Sequence, residues 1–311
     1  MKRHFTTVLL MLLLLIGLGL LLYPTVSDYW NSLHQSRAMA TYAETMSNID
    51  TEEYERLWNE AAAYNEDLVK TGVMWQMTEE QTEAYNNLLD VSESGMMAYI
   101  EIPKINCSLP IYHGTGEGVL QIAIGHLEGT SLPVGGESSH CVLSGHRGLP
   151  SARLFTDLDD LVEGDQFFIR TLDEVLTYEV DQIRVVLPSD LSELNIVKGQ
   201  DYCTLVTCTP YGVNTHRLLV RGHRVQNTEE ARVIMVPAEA MRIPNYVMML
   251  GVGVPMLMLY LIAVLINTRR RPIPPTAQEL VNRLGRDMAG GKPRAPAAKK
   301  SGTDGKEENA P

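Results

Sequence analysis

The sequence predicts a mainly β chain: a closed β-barrel preceded by an N-terminal helical region and flanked by two transmembrane helices. Three observations carry that reading. From Met97 onward, short runs with a period of two (97–102, 107–111, 140–144, 166–170, 175–187, 202–208 and 216–225) alternate with turns rich in Gly, Pro and Asp. Between Asp28 and Asp90 the apolar residues instead recur at helical spacing. Finally, Phe5–Ser27 and Val247–Ile266 carry no charge, and each is long enough to span hydrocarbon.

The anchor reading rests on charge as well as length. Lys2 and Arg3 precede the first apolar segment, and Arg269, Arg270 and Arg271 follow the second. Basic residues outside both spans place both termini in the cytoplasm and the intervening domain outside. No small-x-small cleavage site follows the first segment at the right distance, which favours an uncleaved anchor over residues 1–27. The net charge of −12 is unevenly spread, with 33 acidic and 14 basic residues between Asp28 and Asn245. An acidic middle and a short basic tail argue against nucleic acid as a partner.

Residues 28–95 are expected to form helices. Asp50 with Glu53 suggests a capping box ahead of the stripe Tyr54, Leu57, Ala61, Tyr64 and Leu68. Thr78 with Gln81 suggests a second, ahead of Tyr85, Leu88 and Leu89. Residues 70–77, with Trp75, break the pattern between them. The period-two region, 96–227, is the expected barrel, with one or two helical turns in Leu154–Leu161. A linker (228–245) leads to the second span (246–267). The segment 268–311, rich in Ala, Pro, Gly and Lys, reads as a disordered cytoplasmic tail.

The chemistry centres on TLVTCTPYGVNTHRLLVRGHR, Thr204–Arg224. A strand pattern delivers Cys208 to its end, a turn with Pro210, Gly212 and Asn214 follows, and a second strand returns through Leu218, Leu219 and Val220. Cys208 and Arg217 thus occupy facing strand ends, and a nearby cation favours the thiolate that acts as nucleophile. His146, in LSGHRGLP, supplies a base. Arg221 is a second candidate for the guanidinium, being on the same face of a regular strand, and Arg147 a third. The other cysteines (Cys107, Cys141, Cys203) form neither a disulfide framework nor a metal-binding spacing and read as buried thiols. His113, His140, His216 and His223 are expected to be structural.

TLVTC ending in Cys208, Arg217 nine positions later, and His146 in a Ser-Gly-His-Arg-Gly setting resemble the sortase family. The similarity extends over most of Tyr99–Arg224, including YIEIPKINCSLPIYHGTGEG, and is greatest to the class C sortases that build pili in Gram-positive bacteria. The resemblance implies a cysteine transpeptidase that cleaves an LPXTG-like sorting signal between Thr and Gly through a thioacyl intermediate. It implies Cys208 as nucleophile, His146 as acid and base, and Arg217 as the cation that holds the substrate backbone or the oxyanion. It implies a lysine amine on another pilin as acceptor, and no metal or organic cofactor. Attachment of surface proteins to a cell-wall precursor is the alternative within the family, and a catalytically silent barrel that binds sorting signals is the alternative outside it. Thr207 and His126 (in IGHLEG) are candidates for substrate contact, with a structural role for His126 as its rival. Class C sortases place a lid with an Asp-Pro-aromatic motif near residues 70–77; this chain has Trp75 there without the Asp-Pro pair, and Trp75 reads equally as a packing residue between helices.

Overall fold

In this computed structural model the described residues are 2–91, 94–227, 253–264 and 277–289. They belong to two units, Met1–Leu250 and Gly251–Pro311.

Eight strands close the barrel: β1 (Met96–Ile102), β2 (Cys107–His113), β3 (Ile124–His126), β4 (Ser139–Ser144), β5 (Gln166–Thr171), β6 (Glu174–Val186), β7 (Asp201–Thr209) and β8 (His216–Val225). Their order around the barrel is β1-β2-β3-β4-β7-β8-β6-β5, with β5 returning to β1. Most neighbours are antiparallel, but β2 with β3 and β4 with β7 run parallel. Seven strands coincide with the period-two runs. The eighth, β3, has three residues, too few to display an alternation. Leu154–Leu161 contains a short 3-10 turn, Leu158–Asp160.

Alternate residues of these strands fill the interior. Ile100, Ile111, Leu143, Phe167, Tyr178, Leu205 and Val220 belong to one buried cluster, and the rings of Phe167 and Tyr178 stack with centroids 5.5 Å apart. Closed pairing leaves the sheet no free edge. Cys141 and Cys203 oppose each other across β4 and β7 inside this core. All four cysteines are free. Burial pushes the Cys107 thiol up to about 12, so it stays protonated near neutrality.

Three helices precede the barrel. Helix α1 is Lys2–Asn48, a single helix that runs through Pro24. The expected boundary between an anchor ending at Ser27 and a separate helical region is therefore absent; no glycine or proline between Thr25 and Asn48 would end the helix. Its N-terminal part is long and apolar enough to cross a membrane, with a mean hydropathy of 2.5. Its C-terminal part is fastened to the barrel by Tyr42, whose hydroxyl donates to the Met97 carbonyl (3.0 Å) and accepts from the Leu172 amide (2.7 Å).

Helix α2 (Thr51–Thr71) starts at Asp50, which accepts from the Glu53 amide at 2.7 Å. The other half of that box is replaced, because the Glu53 carboxylate pairs with Arg56. The α2 stripe buries Leu57, Ala61 and Leu68. Helix α3 (Glu79–Asn86) has the full Thr78–Gln81 capping box and buries Tyr85.

Of the second expected span, Gly253–Val264 is an apolar helix. The rest of that span and the 228–245 linker lie outside the described residues. The tail reading needs correction within its described part: Ala277–Ala289 is an α-helix. Leu280, Val281 and Leu284 recur there at helical spacing, while Pro272, Pro274 and Pro275 precede the helix and the Gly and Lys bias follows it.

Candidate active site

β7 carries the site because its two faces have different duties. Cys203 and Leu205 point into the barrel core, and Cys208, five residues from Cys203, lies on the other face and is half-buried. On that outer face Val142 and Leu219 form a small apolar cluster, with Leu194 and the half-buried Val206 against it. Cys208 thus stands at the strand's end above an apolar floor.

The ladders place its neighbours. Across β8, Cys208 is directly opposite Arg217, so both side chains leave the sheet on one face. On the other side the parallel β4–β7 register runs to Ser144 opposite Val206. Two residues further along each chain are His146 and Cys208. The contact continues past the ladder: the Gly145 amide donates to the Val206 carbonyl (3.0 Å), and the Thr207 hydroxyl donates to the Gly145 carbonyl (2.8 Å). Gly145 is needed there because a Cβ would lie 2.7 Å from the Phe155 ring and 2.6 Å from Ile124. The Phe155 amide then donates to the His146 carbonyl at 3.1 Å. The backbone register thus brings the chain at His146 and the start of β8 at Arg217 to either side of Cys208, and all three residues are half-buried.

The rival arginines are engaged elsewhere. Arg221 donates two hydrogen bonds of 3.0 Å to Asp181 and covers the Tyr202 ring at 4.2 Å. It pairs with Thr204, four residues along β7 from Cys208. Arg147 pairs with Asp159, reaches Thr209 Oγ1 at 3.3 Å and lies 5.9 Å from the Tyr211 ring centroid. Arg217 donates only to the carbonyls of His216 (3.1 Å) and Asn214 (3.4 Å) and has no carboxylate partner among the described residues. Its fork remains available to an oxyanion or a peptide carbonyl.

Two expected substrate contacts are not brought to this face. His126 is fully buried, with Nδ1 2.8 Å from the Tyr85 hydroxyl and Nε2 2.9 Å from the Ser131 carbonyl. Its surroundings are those of a core histidine that ties α3 to β3. Thr207 is also buried, because the alternation that exposes Cys208 turns its neighbour inward. Its hydroxyl holds the His146 turn against β7, a positioning role with no signature in the sequence. The two residues differ in consequence: one stabilises the barrel, the other the site.

The segment 70–77 is placed away from Cys208. The Met74 amide donates to the Gly129 carbonyl at 3.0 Å. Gly129 has a φ of +78°, and a Cβ there would lie 2.0 Å from the Met74 carbonyl oxygen, so only glycine permits this approach. Gly129 sits between two hydrogen bonds that reach β4 at Val142 and His140. That is four to six residues before His146, roughly 13–20 Å at the rise of an extended strand. Trp75, 39% exposed, belongs to this anchored loop. His140 and His113 are held by carbonyl acceptors, His140 from Asn195 (2.9 Å) and His113 from Leu88 (2.6 Å). His216 pairs with Thr209, on the face opposite Cys208. No cluster of three or more His, Cys, Asp or Glu able to hold a metal ion occurs among the described residues.

The Sortase domain family matches residues 100–225, the span that contains His146, Cys208 and Arg217. Sortase D of Bacillus subtilis (strain 168) is 32% identical over 147 residues, covering 46% of this chain and 71% of that protein. Among solved structures, sortase C1 from Streptococcus agalactiae is 57% identical with a TM-score of 0.61, covering 62% of this chain and 100% of that one. Sortase C of Streptococcus pneumoniae is 45% identical with a TM-score of 0.56, covering 62% and 98%. A closed eight-stranded barrel, a register that sets Cys208 opposite Arg217, and this degree of identity lead to one conclusion: the chain belongs to the sortase family of cysteine transpeptidases, with class C sortases among its structural neighbours.

Proposed function

We propose that this protein polymerises pilins on the outer face of the membrane, with Cys208, His146 and Arg217 as its catalytic residues. The observation that supports this reading is the register that sets Cys208 opposite Arg217 and ends the parallel β4–β7 ladder two residues short of His146 and Cys208. Cys208 passes its thiol proton to His146 and attacks the carbonyl carbon of the Thr–Gly bond in an LPXTG-like signal, and Arg217 donates to the oxygen as negative charge develops there. His146 gives its proton to the leaving amine, so the C–N bond breaks and a thioester remains on Cys208. A pilin lysine amine then attacks the thioester and loses its proton to His146. The new amide is an isopeptide bond, and the thiol is regenerated. Every step is acyl or proton transfer, and no cofactor is required.

The class C neighbours support pilins as substrates, since the Streptococcus pneumoniae sortase C structure bears on pilin substrate specificity. The uncharged segments with basic outer flanks support a two-span topology with both termini in the cytoplasm. The test is to incubate the full-length protein with a sorting-signal substrate and a candidate pilin, then map the linkage by mass spectrometry. A lysine isopeptide is expected, and Cys208→Ala should form neither thioester nor product while remaining folded. Linkage to a wall peptide would favour surface-protein attachment, and failure of a thiol probe to label Cys208 would favour the silent binder.

A further inference from the structure

The parallel β4–β7 register continues beyond its last ladder pair, in which Ser144 opposes Val206. One step on, Gly145 and Thr207 are joined by the Thr207 hydroxyl, which donates to the Gly145 carbonyl (2.8 Å). The next step is His146 with Cys208, and the one after it is Arg147 with Thr209. There the two chains are joined again, because Arg147 Nη1 donates to Thr209 Oγ1 at 3.3 Å. The His146–Cys208 step therefore lies between two cross-strand contacts. The first ends on a backbone carbonyl; the second is made by side chains alone.

The surroundings of Arg147 explain what that second contact is for. Its side chain is only 9% exposed, although it carries a full charge. Its other arm pairs with Asp159, in the 3-10 turn Leu158–Asp160. Asp159 is 47% exposed, so the ion pair by itself adds little stability. Arg147 Nε is moreover buried with no hydrogen-bond partner among the described residues, a desolvation cost that a cation free to turn outward would not bear. On the far side, Gly148 packs on Tyr211, where a Cβ would lie 3.0 Å from the ring. No hydrogen bond reaches the His146 ring among the described residues. The place of His146 is thus set by its backbone, through its own carbonyl, which accepts from Phe155, and through its two neighbours. We infer that Arg147 is a positioning residue: braced by Asp159 and bonded to Thr209, it holds the chain at His146 in register with Cys208. It touches no reacting atom. The inference rests on the transpeptidase reading and adds to it the element that fixes the spacing of acid and nucleophile.

The test uses the full-length protein with an LPXTG-type peptide and an amine acceptor. Arg147→Met keeps the stem of the side chain and removes its donors, while Thr209→Val, the milder change, removes the acceptor. Arg147→Met should lower kcat about tenfold with KM within about twofold, the loss expected when a catalytic group is displaced by a fraction of an ångström. Thr209→Val should act in the same direction. The double variant should be no slower than Arg147→Met alone, because both changes remove one contact. Register is read without turnover by oxidising His146→Cys with copper phenanthroline: a disulfide to Cys208 is expected, and adding Arg147→Met should slow its formation several-fold. Both single variants turning over within about twofold of the unmodified protein, losses that multiply in the double variant, or crosslinking indifferent to Arg147→Met would each overturn the role. An unmodified protein that forms no thioester at Cys208, with crosslinking still sensitive to Arg147→Met, would instead remove the transpeptidase reading and support the register.

Discussion

Cys208 and Arg217 are nine positions apart in the chain and directly opposite each other across β7 and β8, whereas His146 reaches them through a parallel neighbour with no local connection. Removing each group therefore has a distinct signature. Arg217→Ala should lower kcat/KM by about 10²–10³, the usual loss for one donor to a developing oxyanion. Its melting temperature should barely change, since its hydrogen bonds go to two neighbouring carbonyls. Arg221→Ala should do the reverse: it strands Asp181 in a partly buried site, costing roughly 1–2 kcal/mol of stability with little effect on turnover. Steady-state kinetics and thermal denaturation of the two variants make the comparison. Thr207→Val separates position from chemistry. It leaves the Gly145 carbonyl without its donor, at a cost of about 1 kcal/mol, and should reduce kcat more than KM because the His146 turn loosens against β7.

At the scale of elements, the loop between α2 and α3 is held by a backbone contact at Gly129. The Trp75 loop is fixed at Gly129, so Trp75→Ala should leave the hydrolysis of a short sorting peptide within about twofold, as expected of a residue remote from the reacting atoms. A many-fold activation in that assay would restore the lid. Gly129→Ala meets the Met74 carbonyl and a left-handed backbone at once. It should lower stability by more than about 1 kcal/mol, measured by denaturant unfolding. The element beside the loop after His146 is α1, where Asp28 accepts from the Arg153 amide and Asn31 donates to the Ser151 carbonyl.

For the whole molecule, stability depends on histidines that the core keeps neutral. Burial lowers the pKa of His140 from 6.5 to about 4, opposing the Asn195 carbonyl that would raise it, while nearby Arg221 lowers it further and Asp181 raises it. Burial lowers His113 in the same direction, against its carbonyl contacts with Gly95 and Leu88 and the nearby Asp90 and with help from His126. A base with a depressed folded pKa binds fewer protons folded than unfolded between the two values. Its contribution is therefore complete above pH 6.5 and is lost as pH falls toward 4. For His140 the loss amounts to about 3 kcal/mol. Denaturant midpoints measured across that window should fall with acidity, and His140→Gln should flatten the fall. A profile with the opposite slope would contradict the burial of both rings.

Much of this architecture was readable from the chain alone. Period-two runs marked seven of eight strands, caps marked the starts of α2 and α3, and the uncharged run marked the long apolar part of α1, because periodicity and charge are local properties. The motif around Cys208, His146 and Arg217 was legible too, since each residue stands in a phrase of its own. What only the tertiary structure decided was which residues share a face or a contact. The parallel β4–β7 register brought His146 to Cys208, Asp181 took Arg221 out of contention, the barrel interior claimed His126 and Thr207, and Gly129 drew the Trp75 loop away. Those outcomes depend on partners 40 to 70 residues distant, and a one-dimensional pattern carries no information about which of several compatible partners a side chain will meet.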